Sequence, residues 1–157
     1  MRNLFAIAFA LAFGRAAAAD QKVDYDAALA KWQATGVRNY TFTYQWHGAV
    51  IIAPACADAT IKVRVKNGAA GEPIVVRGNS RCPRGTRGVK AIGFPVPATI
   101  DDAFREIRRY IENPPTAVRI TAEYDQTYGI PKTYFVEKLE IEDNDEGFRI
   151  TSFEVAR

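Results

Sequence analysis

Hydrophobic and polar positions change period several times along the chain, and each change marks an element. Tyr25, Ala28, Leu29 and Trp32 recur at helical spacing, so the pattern predicts a first helix over 24–35, capped by Asp24 and ended by Gly36. Tyr40, Phe42, Tyr44 and Trp46 then alternate with Thr41, Thr43 and Gln45. Four aromatic rings on one face at period two predict a strand over 39–46. Residues 60–66 repeat the alternation, with Ile61, Val63 and Val65 inward and Lys62, Arg64 and Lys66 outward. Asn67-Gly68 reads as a tight turn. Ile74-Val75-Val76 is a short third strand, placed near an edge by Pro73.

Residues 77–98 have no clear period and read as an ordered loop. Thr99 with Asp102 resembles a capping box and starts a second helix. Its buried stripe is Ile100, Phe104, Ile107 and Ile111, and Arg105, Arg108 and Arg109 face water. Asn113-Pro114-Pro115 ends it. Three strands follow, over 117–124, 132–142 and 148–155. Phase slips predict a bulge near Glu137-Lys138 and another between Ile150 and Phe153, with Asp143 to Gly147 as the turn between the last two strands. The order α-β-β-β-α-β-β-β predicts an α+β fold with two helices packed on one face of an antiparallel sheet.

Ahead of all this, Arg2, the apolar run Leu4–Phe13 and Ala17-Ala18-Ala19 form the pattern of a secretory signal peptide over residues 1–19. It leaves residues 20–157 as a single domain, exported to the periplasm or secreted. The run is too short to span a bilayer, and no later run approaches that length, so no membrane span is expected. The whole chain has 21 Lys+Arg against 18 Asp+Glu. Arg2 and Arg15 leave with the leader, so the remaining domain is close to neutral and no general field for nucleic acid is expected.

Export gives the two cysteines meaning. Cys56 and Cys82 form an even pair in an oxidising compartment and read as one disulfide, with two free thiols as the alternative. Closing the segment between them stabilises by about 3–4 kcal/mol in the chain-entropy picture.

Several segments together resemble the DUF6174 family of exported bacterial domains. They are V-R-V-K-N-G at 63–68, T-I-D-D-A-F at 99–104, Y-D-Q-T-Y-G-I-P at 124–131 and the late acidic pair Asp145-Glu146. Ile130 stands where the family usually has a second Tyr. The resemblance spans nearly all of 24–155 and implies an exported bacterial protein with no assigned activity.

Candidate chemistry is sparse. His47 is the one histidine, Ser80 and Ser152 are the serines, and neither serine sits in a G-x-S-x-G elbow. No catalytic residue, metal site or cofactor is assigned. Glu123 and Asp125 share a strand phase and would be the carboxylates of a small hydrolase. The E-D-N-D-E-G run at 142–147 could hold Ca²⁺ but reads equally as hairpin chemistry. Tyr128 either packs under the Gly129-Ile130-Pro131 turn or points out as a binding aromatic. The strongest candidate is the basic loop, where Arg77, Arg81, Arg84, Arg87 and Lys90 fall in a stretch without any acid. A disulfide at Cys82 would hold those cations in shape, and restrained arginines grip carboxylate or phosphate with less entropy lost. The expected function is therefore a non-catalytic binding module for an anionic protein or envelope polymer. A carboxylate-dependent hydrolase and a structural envelope component are the alternatives.

Overall fold

The computed structural model describes residues 21–48, 55–93, 97–113, 115, 117–139 and 146–156. The leader with its cleavage pattern and most of the 142–147 acidic run lie outside the described residues. Helix α1 covers residues 21–35 and β1 runs Tyr40–Gly48. Then come β2 (Thr60–Lys66), β3 (Ala69–Ala70), β4 (Ile74–Arg77), the one-turn α2 (Val89–Ile92) and α3 (Ile100–Glu112). Strands β5 (Val118–Tyr124), β6 (Pro131–Lys138) and β7 (Glu146–Val155) complete the chain. The strands form one antiparallel sheet in the order β3-β2-β1-β7-β6-β5, with β4 also paired to β2, and α1 and α3 pack against it. The fold is α+β, as the alternation of the sequence predicts.

β1 sits at the centre because both of its neighbours match its pattern. Phe42 lies opposite Val63 of β2 on one side and Phe153 of β7 on the other, and Tyr44 lies between Ile61 and Ile150. Every other residue of β1 and β2 is therefore buried under the helices. The other face carries Thr41, Thr43 and Gln45 beside Lys62, Arg64 and Lys66, the half-solvated arrangement that antiparallel sheets allow.

Helix α3 begins where it meets both α1 and the central strand β1. Thr99 and Asp102 cap each other: the Asp102 N–H donates to Thr99 Oγ1 at 3.1 Å, and the Thr99 N–H donates to Asp102 Oδ2 at 3.0 Å. The next N–H, of Ile100, donates to the Tyr40 hydroxyl of β1 at 3.0 Å. Asp101 accepts the Trp32 indole N–H of α1 at 3.0 Å. Ile100, Ala103, Phe104 and Ile107 are buried beneath, and Tyr25 of α1 meets Phe104 edge-on with ring centroids 5.7 Å apart.

Four details depart from the sequence reading. Helix α1 already includes residues 21–23, so Asp24 is not its cap. Gln21, Lys22 and Val23 contain no helix breaker, and Lys22 pairs with Asp26 one turn on at 3.0 Å. The loop over 77–98 contains α2, whose Ile92 is fully buried, and the two-residue β3 follows the Asn67-Gly68 turn. No bulge occurs at Glu137-Lys138: the β5–β6 register runs unbroken from Val118↔Lys138 to Glu123↔Thr133 and shifts only at Glu123/Tyr124. The phase slip there arises because β6 ends at Lys138 and Leu139 turns out to solvent. The slip in β7 is a real bulge. Ile150 faces Tyr44 and Ser152 faces Thr43, which leaves Thr151 as the extra residue.

Burial sets how the fold responds to alkali. Burial disfavours the phenolate of Tyr40 and pushes its pKa from 10.0 up to about 12. Tyr44, Tyr124 and Tyr134 are raised in the same direction by the same cause. The unfolded chain releases these protons near pH 10 while the folded chain keeps them. Their contribution is thus complete below pH 10 and is lost as pH rises toward the folded values. Urea denaturation across the alkaline range should show stability falling steadily above about pH 10.

Candidate functional site

The basic loop is built on β4 and tied at many points. Cys56 and Cys82 form a disulfide with Cα atoms 4.9 Å apart, and both residues are buried. Asn79 accepts the N–H groups of Arg81 and Cys82 on one side-chain oxygen, each at 2.9 Å. The chain crosses itself at Gly78, where a Cβ would lie 1.9 Å from the Cys82 carbonyl oxygen. The Gly85 N–H donates to Val75 O, and the Val75 N–H donates to Thr86 O. Arg87 makes an isolated bridge with Ile74 of β4. The loop backbone is therefore strapped back onto the strand it leaves.

Its cations stay outside that frame. Arg77, Arg81, Arg84, Arg87 and Lys90 are all exposed. Arg87 has a loose contact to Glu72 at 3.9 Å, with both side chains more than half exposed. The sheet adds cations that the loop reading did not include. Arg77 lies opposite Thr60, in the same phase of β2 as Lys62, Arg64 and Lys66. Those three and the five loop cations make eight basic residues between positions 55 and 93, against Asp58 and Glu72. That stretch nets +6 in a chain whose total is +3. Among the described residues, several carboxylates elsewhere have a local cation: Glu112 has Arg108, Glu106 has Arg109, Glu137 has Arg119 and Glu146 has Lys138.

Tyr128 does not join this surface. It lies in the β5–β6 connection, across the sheet order from β4, with its ring 5.1 Å from that of Phe153. The turn around it is a lock. Asp125 Oδ1 accepts the N–H groups of Thr127 at 2.9 Å and Tyr128 at 2.6 Å. The Gly129 N–H returns to Asp125 O, and the Asp125 N–H donates to Ile130 O. Gly129 has φ +77°, and a Cβ there would come within 2.5 Å of the Ala28 carbonyl oxygen. Helix α1 thus rests directly on this glycine, and Lys31 of α1 donates to Gln126 O.

The other sequence candidates lie apart from this surface. Glu123, exposed on β5, and Asp125, whose Oδ1 is engaged in the turn, line one shallow hollow together with Asp24, Lys31 and Lys132. His47 is exposed on β1 with its ring 5.7 Å from Phe135. No cluster of three metal-ligating side chains occurs among the described residues. No helix among them is long and apolar enough to cross a membrane.

Sequence reasoning missed a groove of about 800 Å³ between α3 and the sheet. Trp46, Tyr134, Val136 and Phe148 lie along it from the strands, and Tyr110 and Arg109 from α3. Alternation did place Trp46 on one face with Tyr40, Phe42 and Tyr44. What it could not show is that the helices leave that end of the face open.

The chain belongs to the DUF6174 family, a family of unknown function, whose model matches residues 24–155. No curated protein and no solved structure matches the chain.

Two substitutions test this framework. Gly129→Ala should destabilise the protein by at least about 2 kcal/mol in urea denaturation, because Ala resists a positive φ and the Ala28 carbonyl blocks its methyl group. Replacing Cys56 and Cys82 together by Ala should cost about 3 kcal/mol by the same measurement, because the open segment regains its freedom in the unfolded chain.

Proposed function

We propose that the protein is an exported binding module whose disulfide-braced basic loop, extended by the outward cations of β2, grips an anionic partner, either a protein or an envelope polymer. The observation that carries this reading is the charge segregation between positions 55 and 93. Eight cations meet two acids there, and among the described residues only Arg87 makes an ion pair, with Glu72. The loop that presents them is held by a disulfide and strapped to β4. A rigid frame under exposed arginines lowers the entropy lost on binding. The leader pattern of residues 1–19 and the disulfide both support an oxidising location outside the cytoplasm. The engagement of Asp125 Oδ1 in the turn and the exposure of Glu123 in a shallow hollow weigh against the hydrolase alternative.

Retention of the purified protein on heparin, a linear polyanion, gives the first test. Exposed charge contacts contribute about 0.2–1 kcal/mol each, so replacing Arg81, Arg84 and Arg87 together by Ala should weaken binding about tenfold. The salt dependence should become shallower, and the melting temperature should hold because these side chains bury nothing. A control variant with Arg105, Arg108 and Arg109 of α3 replaced by Ala removes the same charge elsewhere and should bind almost as the parent does. Equal losses in both variants would reduce the loop to ordinary surface charge. A pull-down from envelope extract then identifies the natural partner.

A further inference from the structure

Strand β5 ends the order of the sheet, and no described strand pairs with its outer side. The direction of its backbone groups follows from its two ends. The Ala117 carbonyl accepts from the Leu139 N–H, and the Asp125 N–H donates to the Ile130 carbonyl, so both groups point toward β6 and the residue that leads into it. In a strand the N–H and C=O of one residue share a side, and the side alternates from residue to residue. The N–H and C=O groups of Val118, Ile120, Ala122 and Tyr124 therefore point outward, while those of Arg119, Thr121 and Glu123 are directed to β6.

This edge lacks the usual protection. Proteins blunt a free edge with a short strand, a proline, a lysine, a bulge or an inward charge. β5 is seven residues long, contains no proline, glycine or lysine, and keeps an unbroken register with β6 from Val118 to Glu123. At the opposite end of the order β3 has only two residues.

The side chains of β5 complement a second copy of themselves. Arg119 and Glu123 are both exposed on the open face, one on either side of Thr121. Arg119 meets Glu137 of β6 at 3.0 Å, and Glu123 makes no ion pair among the described residues. On the helix side Val118, Ile120 and Tyr124 are only half-buried. Antiparallel pairing of two copies about a two-fold axis at Thr121 is the one register that overlaps the whole strand. It sets Arg119 opposite Glu123 of the second copy, and the symmetry repeats that contact. Arg119 then lies between Glu137 of its own chain and Glu123 of the other. The same register sets Val118 against Tyr124 and Ile120 against Ala122. These are the residues whose backbone groups point outward, so they form the hydrogen-bonded pairs. The charged residues fall in the intervening pairs, where side chains come closest.

We propose that the protein self-associates through β5, two copies joining edge to edge about Thr121 into one continuous sheet. An unrelated extended peptide could use the same backbone groups, but the symmetric placement of opposite charges selects a second copy. The proposal does not rest on the basic loop.

Sedimentation equilibrium of the purified protein from about 1 to 500 µM should show a monomer–dimer equilibrium of the weak kind that a small interface gives. Arg119→Glu and Glu123→Arg each place like charges opposite one another at both symmetric positions, and each should weaken dimerisation about tenfold. The double change R119E/E123R restores opposite charges across the axis and should recover it. Within one chain the two positions lie about 13 Å apart along the strand, too far to compensate each other, so recovery reports contact between copies. Amide hydrogen exchange adds a second readout. Protection of the Ile120 and Ala122 N–H groups should rise with protein concentration, while that of Thr121, already directed to β6, should not change. A protein that stays monomeric to about 500 µM would overturn the proposal. So would a dimer that both single charge reversals leave unaltered, one that the double change fails to recover, or one whose concentration-dependent protection lies away from β5.

Discussion

The start of α3 is the point on which the rest of the architecture depends. A helix N-terminus leaves N–H groups without intrahelical partners, and each must find an acceptor. Here those acceptors come from different layers. Thr99 supplies one from the helix's own cap, and Tyr40 supplies another from the central strand. Asp101, one residue on, receives the indole N–H of Trp32 from α1. The aromatic rings around the junction pack on one another: Trp32 meets Tyr40 and Phe153 edge-on at 5.5 and 5.8 Å. One turn of helix therefore sets the position of α1, of α3 and of the strand between β2 and β7.

Two of the four segments that carry the family resemblance are structural locks. T-I-D-D at 99–102 is the junction itself, and Y-D-Q-T-Y-G-I-P at 124–131 is the turn on which α1 rests through Gly129. Both consist of residues whose side chains or backbone are used up in holding elements together. These two segments therefore record how the chain holds itself together and say little about the chemistry of the surface. The basic edge and the aromatic groove lie mostly outside those two segments.

Those surfaces differ in kind. At the β2–β4 edge, cations accumulate without neutralising partners over a stretch whose backbone is pinned by the disulfide. Beside α3, arginines and carboxylates alternate along the helix and neutralise one another, and the interest passes to the aromatic rings beneath. A near-neutral total charge conceals both arrangements, because it averages over a strongly cationic edge and a balanced helix.

The chain by itself determined the strands, the helix stripes and the cap of α3. Each rests on local spacing: period two puts Tyr40, Phe42 and Tyr44 on one face, and Thr99 reaches Asp102 within a single turn. The β7 bulge was legible for the same reason, since an extra residue at Thr151 shifts the phase within the strand. The slip after Glu137 misled because a strand that ends and a strand that bulges lose phase alike. Tertiary structure alone decided the rest. Asp24 lost its capping role to a helix continuing upstream, and Asp125 lost its carboxylate to the turn. Lys62, Arg64 and Lys66 joined the loop cations only because β4 pairs with β2. The groove lies beside α3, whose start is tied to Tyr40 and Trp32, residues more than fifty positions away along the chain. Spacing within a segment records which side of an element is buried. It holds no record of which distant element arrives to cover that side, or of the part left uncovered.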